Sequence, residues 1–407
     1  MTRVRKARVL PGQLGLFTDE PARPDLIVAM TENLPELDDP ELDPFRLFDD
    51  LPTALDRIEK EVLRRGGTLP EGWRIPRFDF YEERRERPDG SIKRRMVGKP
   101  TVAMRLLQHR FEELIREACR RVDDSRLARL PSATAFALGG DPFRNVVRHQ
   151  ENQYFYIVDL RHAYDSLDTE LLSLLLSAIV GYPSHRDAFY EFLHLMEFGI
   201  RDDAVLRGLR IDPLFARMRK FVAQFCRGPT GNGIVTGSPS SPYLFNLFCE
   251  MTLDAGIRRF CLGEWGNRIR YSRYADDLVL SNGRPLFPPF RQEIRRRIAN
   301  AGFSVNHRKS RVLDRAKGTV SFTGFGLSRY DPEAYPYQMR RVSFPGKKRR
   351  KLQGMLRTFF ARGEGNPDEI GGHIAHFLHY MEAVRPTESD RKLVALCREF
   401  RRKSGRT

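Results

Sequence analysis

The chain has 407 residues, enough to bury more than one core, and its 70 Lys and Arg exceed its 53 Asp and Glu by 17. That basic excess fits a polyanionic partner, and because no stretch approaches the roughly 20 apolar residues of a membrane span, nucleic acid is expected rather than a membrane. Cys119, Cys226, Cys249, Cys261 and Cys397 include no C-x-x-C pair, so neither a zinc site nor a disulfide framework is readable; with no signal peptide visible, a reducing cytoplasm is expected.

Residues 1–50 read as a flexible extension, basic at first and acidic from Glu32 to Asp50, with repeated Pro and Asp opposing regular structure. Inside it, "PGQLGLFTDE" sets Leu14, Leu16 and Phe17 in a stretch with no core of its own. Helical order is expected from near Leu51. "GSIKRRMVGKP" carries Lys93, Arg94 and Arg95 on a basic strand or hairpin. After Pro100, the spacing of Leu107, Phe111, Leu114, Ile115, Ala118, Cys119 and Val122 predicts a helix with one apolar face.

"YFYIVDL", 154–160, is a short apolar run rich in aromatic and β-branched residues and predicts a buried strand. "GIVTGSPSSPYLFNL", 233–247, predicts a Gly-Ser-Pro turn before an apolar helix, a place where backbone approaches a base pair closely. "RIRYSRYADDLVLS", 268–281, predicts two strands around a tight turn. The run Lys347, Lys348, Arg349, Arg350, Lys351 leads into Leu352, Met355, Leu356, Phe359 and Phe360 at helical spacing. Gly363 and Gly365 break that helix, and a second stripe follows at Ile370, Ile374, Phe377, Leu378 and Met381. Together these predict a small helical bundle with a basic edge.

Asp159 ends the buried strand, where an unpaired charge is costly, and Asp276 and Asp277 sit at the hairpin tip. Alone, an Asp-Asp pair is ordinary turn chemistry. Three carboxylates brought together repel one another unless a cation lies among them, and hard oxygen ligands select Mg²⁺ or Mn²⁺. Two such ions roughly 4 Å apart activate an attacking hydroxyl and stabilise a leaving oxygen in phosphoryl transfer.

Taken in order, "VDLRHAY", "GIVTGSPSSPYLFNL", "YADD", "GFSVNHRKSRV" and "SFTGFGLS" resemble the palm of a reverse transcriptase, over about residues 90–385. The resemblance implies an α+β right-hand polymerase: fingers over 51–150 with part of 170–228, a palm with an antiparallel sheet over 151–330, and a helical thumb with a basic tail over 331–407. It implies that Asp159, Asp276 and Asp277 bind two Mg²⁺ ions, with Mn²⁺ as the alternative, and that Lys309 protonates departing pyrophosphate. Tyr164 falls where an aromatic ring screens the sugar 2′ carbon. Gly237, Ser238 and Pro239 fall in the loop lining the incoming nucleotide, and Lys93, Arg94 and Arg95 on the fingers strand that meets the triphosphate. Thr323 and Gly324 occupy the place of the primer grip, and Lys347, Lys348, Arg349, Arg350 and Lys351 the place of contact with RNA backbone. One departure is Val235-Thr236, where the family usually has Pro-Gln before the glycine.

"NVVRH", 145–149, and Phe322-Thr323-Gly324 resemble retron motifs with one change each, and the roughly 80 residues after Gly324 suit a thumb rather than a maturase domain with an endonuclease. A retron or retron-like defence-associated enzyme is therefore expected, copying part of a structured noncoding RNA into single-stranded DNA from dNTPs, with an effector protein as a further partner. His149 carries no expected catalytic role. The alternatives are an untemplated or protein-primed nucleotidyl transferase, a group II intron-type reverse transcriptase, and a non-catalytic RNA-binding protein on the same scaffold. Finally, Gln13, Leu14, Leu16 and Phe17 resemble the peptide by which bacterial replication proteins dock on the sliding clamp, with Gly15 as a departure; a tail covering an apolar patch is the other reading.

Overall fold

The protein is described by a computed structural model over residues 47–86, 91–137, 140–182, 186–200, 204–265, 268–330, 342–344, 346–383 and 388–404. The clamp-like residues Gln13, Leu14, Leu16 and Phe17 lie outside the described residues, as does nearly all of the expected extension.

In chain order the elements are α1 (Leu47–Arg64), β1 (Phe78–Glu86), β2 (Ile92–Pro100), α2 (Val102–Arg121), α3 (Ser125–Arg129), α4 (Pro142–Val147) and β3 (Tyr154–Asp159). There follow α5 (Thr169–Val180), α6 (Arg186–Phe198), α7 (Ala204–Ile211), α8 (Pro213–Phe225), α9 (Ser241–Cys249), a π-helical turn (Glu250–Asp254) and α10 (Ala255–Trp265). The chain then runs through β4 (Arg270–Tyr274), β5 (Asp277–Asn282), α11 (Pro288–Asn300), β6 (Arg311–Asp314), β7 (Val320–Phe322), β8 (Phe325–Leu327) and β9 (Val342–Ser343) to α12 (Gly346–Arg362), α13 (Pro367–Ala383) and α14 (Glu388–Lys403). Regular helix thus begins at Leu47 rather than near Leu51, with Pro52 inside it.

The described residues form two compact units, one within 23–141 and 154–312, the other within 142–153 and 313–404. In the first, the predicted α2 starts where Thr101 caps it, its hydroxyl accepting from the Met104 amide. Its apolar stripe is buried from Leu107 to Cys119, and Phe111 meets Phe221 of α8 at 4.3 Å between ring centroids. Truncating such a buried Phe typically costs about 3–5 kcal/mol. Helix α5 is apolar on nearly every face and is accordingly buried along most of its length. The four-stranded sheet has the order β4-β5-β3-β6, with β3 and β4 both antiparallel to β5. Phe155, Tyr156, Ile157 and Val158 of β3 are all buried, as expected for a strand covered on both faces.

The second unit holds the three-stranded sheet β7-β8-β9 and the helices α12, α13 and α14. The two predicted stripes bury Leu352 and Leu356 on α12, and Ile370, Ile374 and Phe377 on α13. A third helix, α14, adds Leu393, Cys397 and Phe400. His149 of this unit is fully buried with its ring edge-on to Phe322, a packed histidine. Among the described residues, no helix is long and apolar enough to cross a membrane.

Candidate active site

Hydrogen bonding across the central strands decides where the three aspartates fall. Asp159, last in β3, stands directly opposite Asp277, first in β5. The two-residue turn Ala275-Asp276 joins β4 to β5, with Tyr274 paired to Asp277. The Leu160 amide donates to the Asp276 carbonyl at 2.9 Å, tying the end of β3 to that turn. The three carboxylates therefore lie at one end of one sheet, although 117 residues separate Asp159 from Asp276 in the chain.

Their electrostatics follow from that crowding. Burial pushes the Asp277 carboxyl up to about 7, with the charges of Asp276 and Asp159 adding to the shift and those of Lys309 and Arg311 opposing it. Burial and then Asp159 raise Asp276, against Lys309 and Arg95. Asp159 is held differently. Its Oδ2 accepts from Lys309 Nζ at 2.5 Å and its Oδ1 from Asn306 Nδ2 at 2.8 Å. Its backbone carbonyl accepts from the Asn306 amide, so the 304–310 loop is fastened to the strand end through main chain and side chain alike.

Among the described residues, no three His, Cys, Asp or Glu side chains already converge as a metal-ligand group. The donor chemistry nevertheless suits a hard divalent cation, because three mutually destabilising carboxylates share one strand end and one already holds an ammonium ion.

The nucleotide-loop residues sit on a tightly constrained backbone. Gly237 has φ +100, and a Cβ there would stand 2.6 Å from the Gly98 carbonyl of β2. The Gly98 amide donates to the Thr236 carbonyl at 2.8 Å. The basic strand β2, with Lys93, Arg94 and Arg95, is thus stitched at its far end to this loop, and Arg95 is close enough to Asp276 for its charge to be felt. Arg94 lies 3.7 Å from Glu82 across the hairpin. Val235, at the departure from the family pattern, is fully buried, and its methyl group closes on Gly98.

Ser238 donates to Gln108 Oε1 at 2.8 Å and Ser240 donates to the same oxygen, while Gln108 Nε2 donates to the Phe225 carbonyl. Pro239 follows in the same turn, before α9. Tyr164 stacks on Phe245 of α9 at 4.9 Å with 13° between planes, and the charge of Asp276 adds to burial in raising its phenol. Gly233 lets the 233–235 segment pass against Tyr164, since a Cβ would stand 2.1 Å from its carbonyl oxygen.

Within the other unit, Thr323 and Gly324 form the β7–β8 turn, both at positive φ. Thr323 donates to the Pro142 carbonyl, and Lys348 Nζ and His376 close on Gly324. The basic run does not present one face. Lys347, Arg350 and Lys351 are exposed, with Lys351 Nζ 3.1 Å from His373 of α13, Lys348 faces His376 of the same helix, and Arg349 turns inward to buried Asp390 at 2.6 Å. Helical geometry imposes this, because five consecutive positions sweep the whole circumference.

Sequence reasoning missed Gln108, Asn306, Gly233 and Arg273. Asn306 lay inside the quoted "GFSVNHRKSRV", where its nearness to Lys309 was the available signal. Nothing local marks Gln108, which reads as one polar position on an amphipathic helix.

Comparison with known proteins bears on what this arrangement is. Residues 86–327 match the family model described as reverse transcriptase (RNA-dependent DNA polymerase). The chain is 26% identical over 200 residues to the retron Ec83 reverse transcriptase of Escherichia coli, covering 48% of this chain and 50% of that protein. It thus spans about half the length of the curated relative it matches. Among solved structures, apo telomerase from Candida tropicalis has a TM-score of 0.43 at 13% identity, covering 88% of this chain and 62% of that one. Telomerase from Candida albicans in complex with a TWJ fragment of telomeric RNA has a TM-score of 0.41 at 11% identity, covering 86% and 66%. The family match takes in more than half of the chain, including all three aspartates at the β3–β5 strand end, and the chain belongs to the reverse transcriptase (RNA-dependent DNA polymerase) family.

Proposed function

We propose that the protein is an RNA-templated DNA polymerase of retron type, which copies part of a structured noncoding RNA into single-stranded DNA from dNTPs. The observation that carries this reading is the meeting of Asp159, Asp276 and Asp277 at one strand end inside the family-matched segment. These residues would hold two Mg²⁺ ions, or Mn²⁺, which supply activation of a primer hydroxyl and charge stabilisation on the leaving phosphate. Lys309 Nζ donates to Asp159 and would protonate departing pyrophosphate. Lys93, Arg94 and Arg95 would neutralise the triphosphate, and Gly237, Ser238 and Pro239 would line the nucleotide. Tyr164 would exclude a 2′-hydroxyl. Thr323 and Gly324 would meet the primer end, and Lys347, Lys348, Arg350 and Lys351 the RNA backbone; Arg349 supports that helix from inside through Asp390. Fingers over 51–150 with part of 170–228, a palm over 151–330 and a thumb with basic tail over 331–407 belong to the same proposal, whereas the two compact units divide at 142, 154 and 313.

Replacing Asp276 and Asp277 by Ala should abolish extension of a primed RNA template while leaving RNA binding intact; retained extension sinks the site assignment. The buried Val235 in place of the usual loop residue favours a second reading, an untemplated or protein-primed nucleotidyl transferase. Sequencing the DNA that co-purifies separates the two: cDNA of a neighbouring noncoding RNA supports the retron reading, and homopolymer supports the other. A cytoplasmic role in defence with an effector protein belongs to the same proposal. So does clamp docking through Gln13, Leu14, Leu16 and Phe17, which equal clamp binding by the parent and a Leu16→Ala, Phe17→Ala variant would end.

A further inference from the structure

Among the described residues, the two bulkiest fully buried side chains are both charged, Arg315 and, on β4, Arg273. A guanidinium in that position needs every donor matched, since an unpaired buried charge is strongly destabilising. Asp254, itself fully buried at the end of the π-helical turn, accepts from Nε at 3.1 Å and from Nη2 at 2.8 Å. It also accepts from the Tyr271 hydroxyl at 2.5 Å. Nη1 donates to Asn246 Oδ1 on α9 at 2.8 Å and to the carbonyl of Ala275 at 3.1 Å.

Two contacts of Arg273, one of these and one with an aromatic ring, lead directly to the candidate site. Ala275 precedes Asp276 in the β4–β5 turn and is held at φ +52, a left-handed value that costs a non-glycine residue about 1 kcal/mol or more. A strained turn keeps its shape only where its surroundings fix it, and the Arg273 bond to the Ala275 carbonyl does so from beneath. The guanidinium carbon also lies 5.4 Å from the centre of the Phe245 ring, the ring on which Tyr164 stacks. One buried side chain therefore touches the support of Asp276 and the support of Tyr164.

We infer that Arg273 is a positioning residue that couples the two halves of the site: through Ala275 it fixes the turn carrying Asp276 and Asp277, and through Phe245 it fixes the Tyr164 ring. Metal-site geometry and discrimination against ribonucleotides are set together by this guanidinium. The inference rests on the proposed roles of those aspartates and of Tyr164. Lysine at position 273 would keep the charge but lose the planar fork that reaches Asp254, Asn246 and Ala275 at once.

The test uses the full chain carrying Arg273→Lys, and separately the pair Arg273→Met with Asp254→Leu. The pair removes both charges, so neither is stranded, and it is expected to fold. Near-UV circular dichroism and melting check that it does. Two quantities are read: dCTP-over-CTP selectivity in primer extension, and Mn²⁺ binding followed by electron paramagnetic resonance without nucleotide or template. Both variants should lose selectivity and Mn²⁺ affinity, each by about tenfold, the scale of one modest misplaced contact. Phe245→Leu leaves the Arg273 bonds to Asp254, Asn246 and Ala275 in place and should lose selectivity while binding Mn²⁺ as the parent does. Folded Arg273 variants with parental selectivity and Mn²⁺ affinity overturn the inference, as does Phe245→Leu with parental selectivity. If instead Tyr164→Ala leaves selectivity unchanged, or Asp276→Asn leaves Mn²⁺ binding unchanged, the underlying site assignment fails and the inference with it.

Discussion

Lys309 Nζ and Asp159 Oδ2 stand 2.5 Å apart, so the lysine expected to act on pyrophosphate is bonded to the carboxylate expected to hold metal. Asn306 occupies the other oxygen of Asp159, so among the described residues Lys309 is the cationic donor bonded to that side chain. Its half-exposed ammonium can leave Asp159 when a cation arrives, whereas the Asn306 bond need not break. Lys309→Ala should therefore lower the chemical step by about 10²-fold or more, the usual range for loss of a general acid. Single-turnover incorporation of one dNTP measures it. The dNTP concentration for half-maximal rate should change little, and Lys309→Arg should recover only part of the rate, because arginine carries charge without giving up its proton.

Gly237 and Gly98 allow the nucleotide loop and β2 to touch backbone to backbone. Gly237→Ala meets two obstacles at once, a φ of +100 and a Cβ 2.6 Å from the Gly98 carbonyl. The chain must shift, at a cost of about 2 kcal/mol or more, since each strained backbone position alone costs about 1–3. Urea unfolding should show that loss. Because the loop is displaced rather than the aspartates, the concentration of dNTP needed should rise more than the maximal rate falls.

Gln108 satisfies three polar groups with one buried side chain: the hydroxyls of Ser238 and Ser240 and the carbonyl of Phe225. Gln108→Leu has nearly the same volume and removes all three bonds. Each stranded group costs about 1–3 kcal/mol, less where it finds another partner, so the folded state should lose at least about 2 kcal/mol. Thermal melting reads this directly, and Ser238→Ala with Ser240→Ala added to Gln108→Leu should recover part of the loss.

Strand β3, the β4–β5 hairpin and the helices α2, α9, α12 and α13 were readable because each carries its own local signal. Alternation, an apolar stripe or a turn dipeptide is enough to place such an element. The meeting of Asp159 with Asp277 is set by strand register over a long loop, and only the resemblance of ordered motifs pointed to it. Gln108, Asn306 and Arg273 are set by pairings across 19 to 147 positions. A single polar residue on an otherwise ordinary helix or strand gives no periodic trace of such a partner. The joining of residues 142–153 to 313–404 in one unit was equally silent, since it depends on contacts such as Arg315 Nη1 with the Gln150 carbonyl and Thr323 with the Pro142 carbonyl.

His376 gives the C-terminal unit a pH dependence whose sign can be worked out. Burial pushes its imidazole down to about 4, and the Lys348 ammonium 3.3 Å away adds to this, while a hydrogen bond to the Gly324 backbone opposes it. The rings of Phe325 and Phe344 pack beside it, and His373 and His379 approach along its own helix. In the unfolded chain it titrates near 6.5. A folded value below the unfolded one means that the stability from neutral His376 is fully present above about 6.5 and is lost as pH falls toward 4. Partial exposure screens the effect, so the loss should be about 1–2 kcal/mol. Asp277, raised by burial to about 7, contributes in the opposite sense, so the effect is read as a difference: between pH 7.5 and 4.5 the midpoint of the parent should fall relative to that of His376→Gln. Some slope should remain from His373, which burial and Lys351 also depress. Equal slopes for parent and His376→Gln would place the acid sensitivity elsewhere.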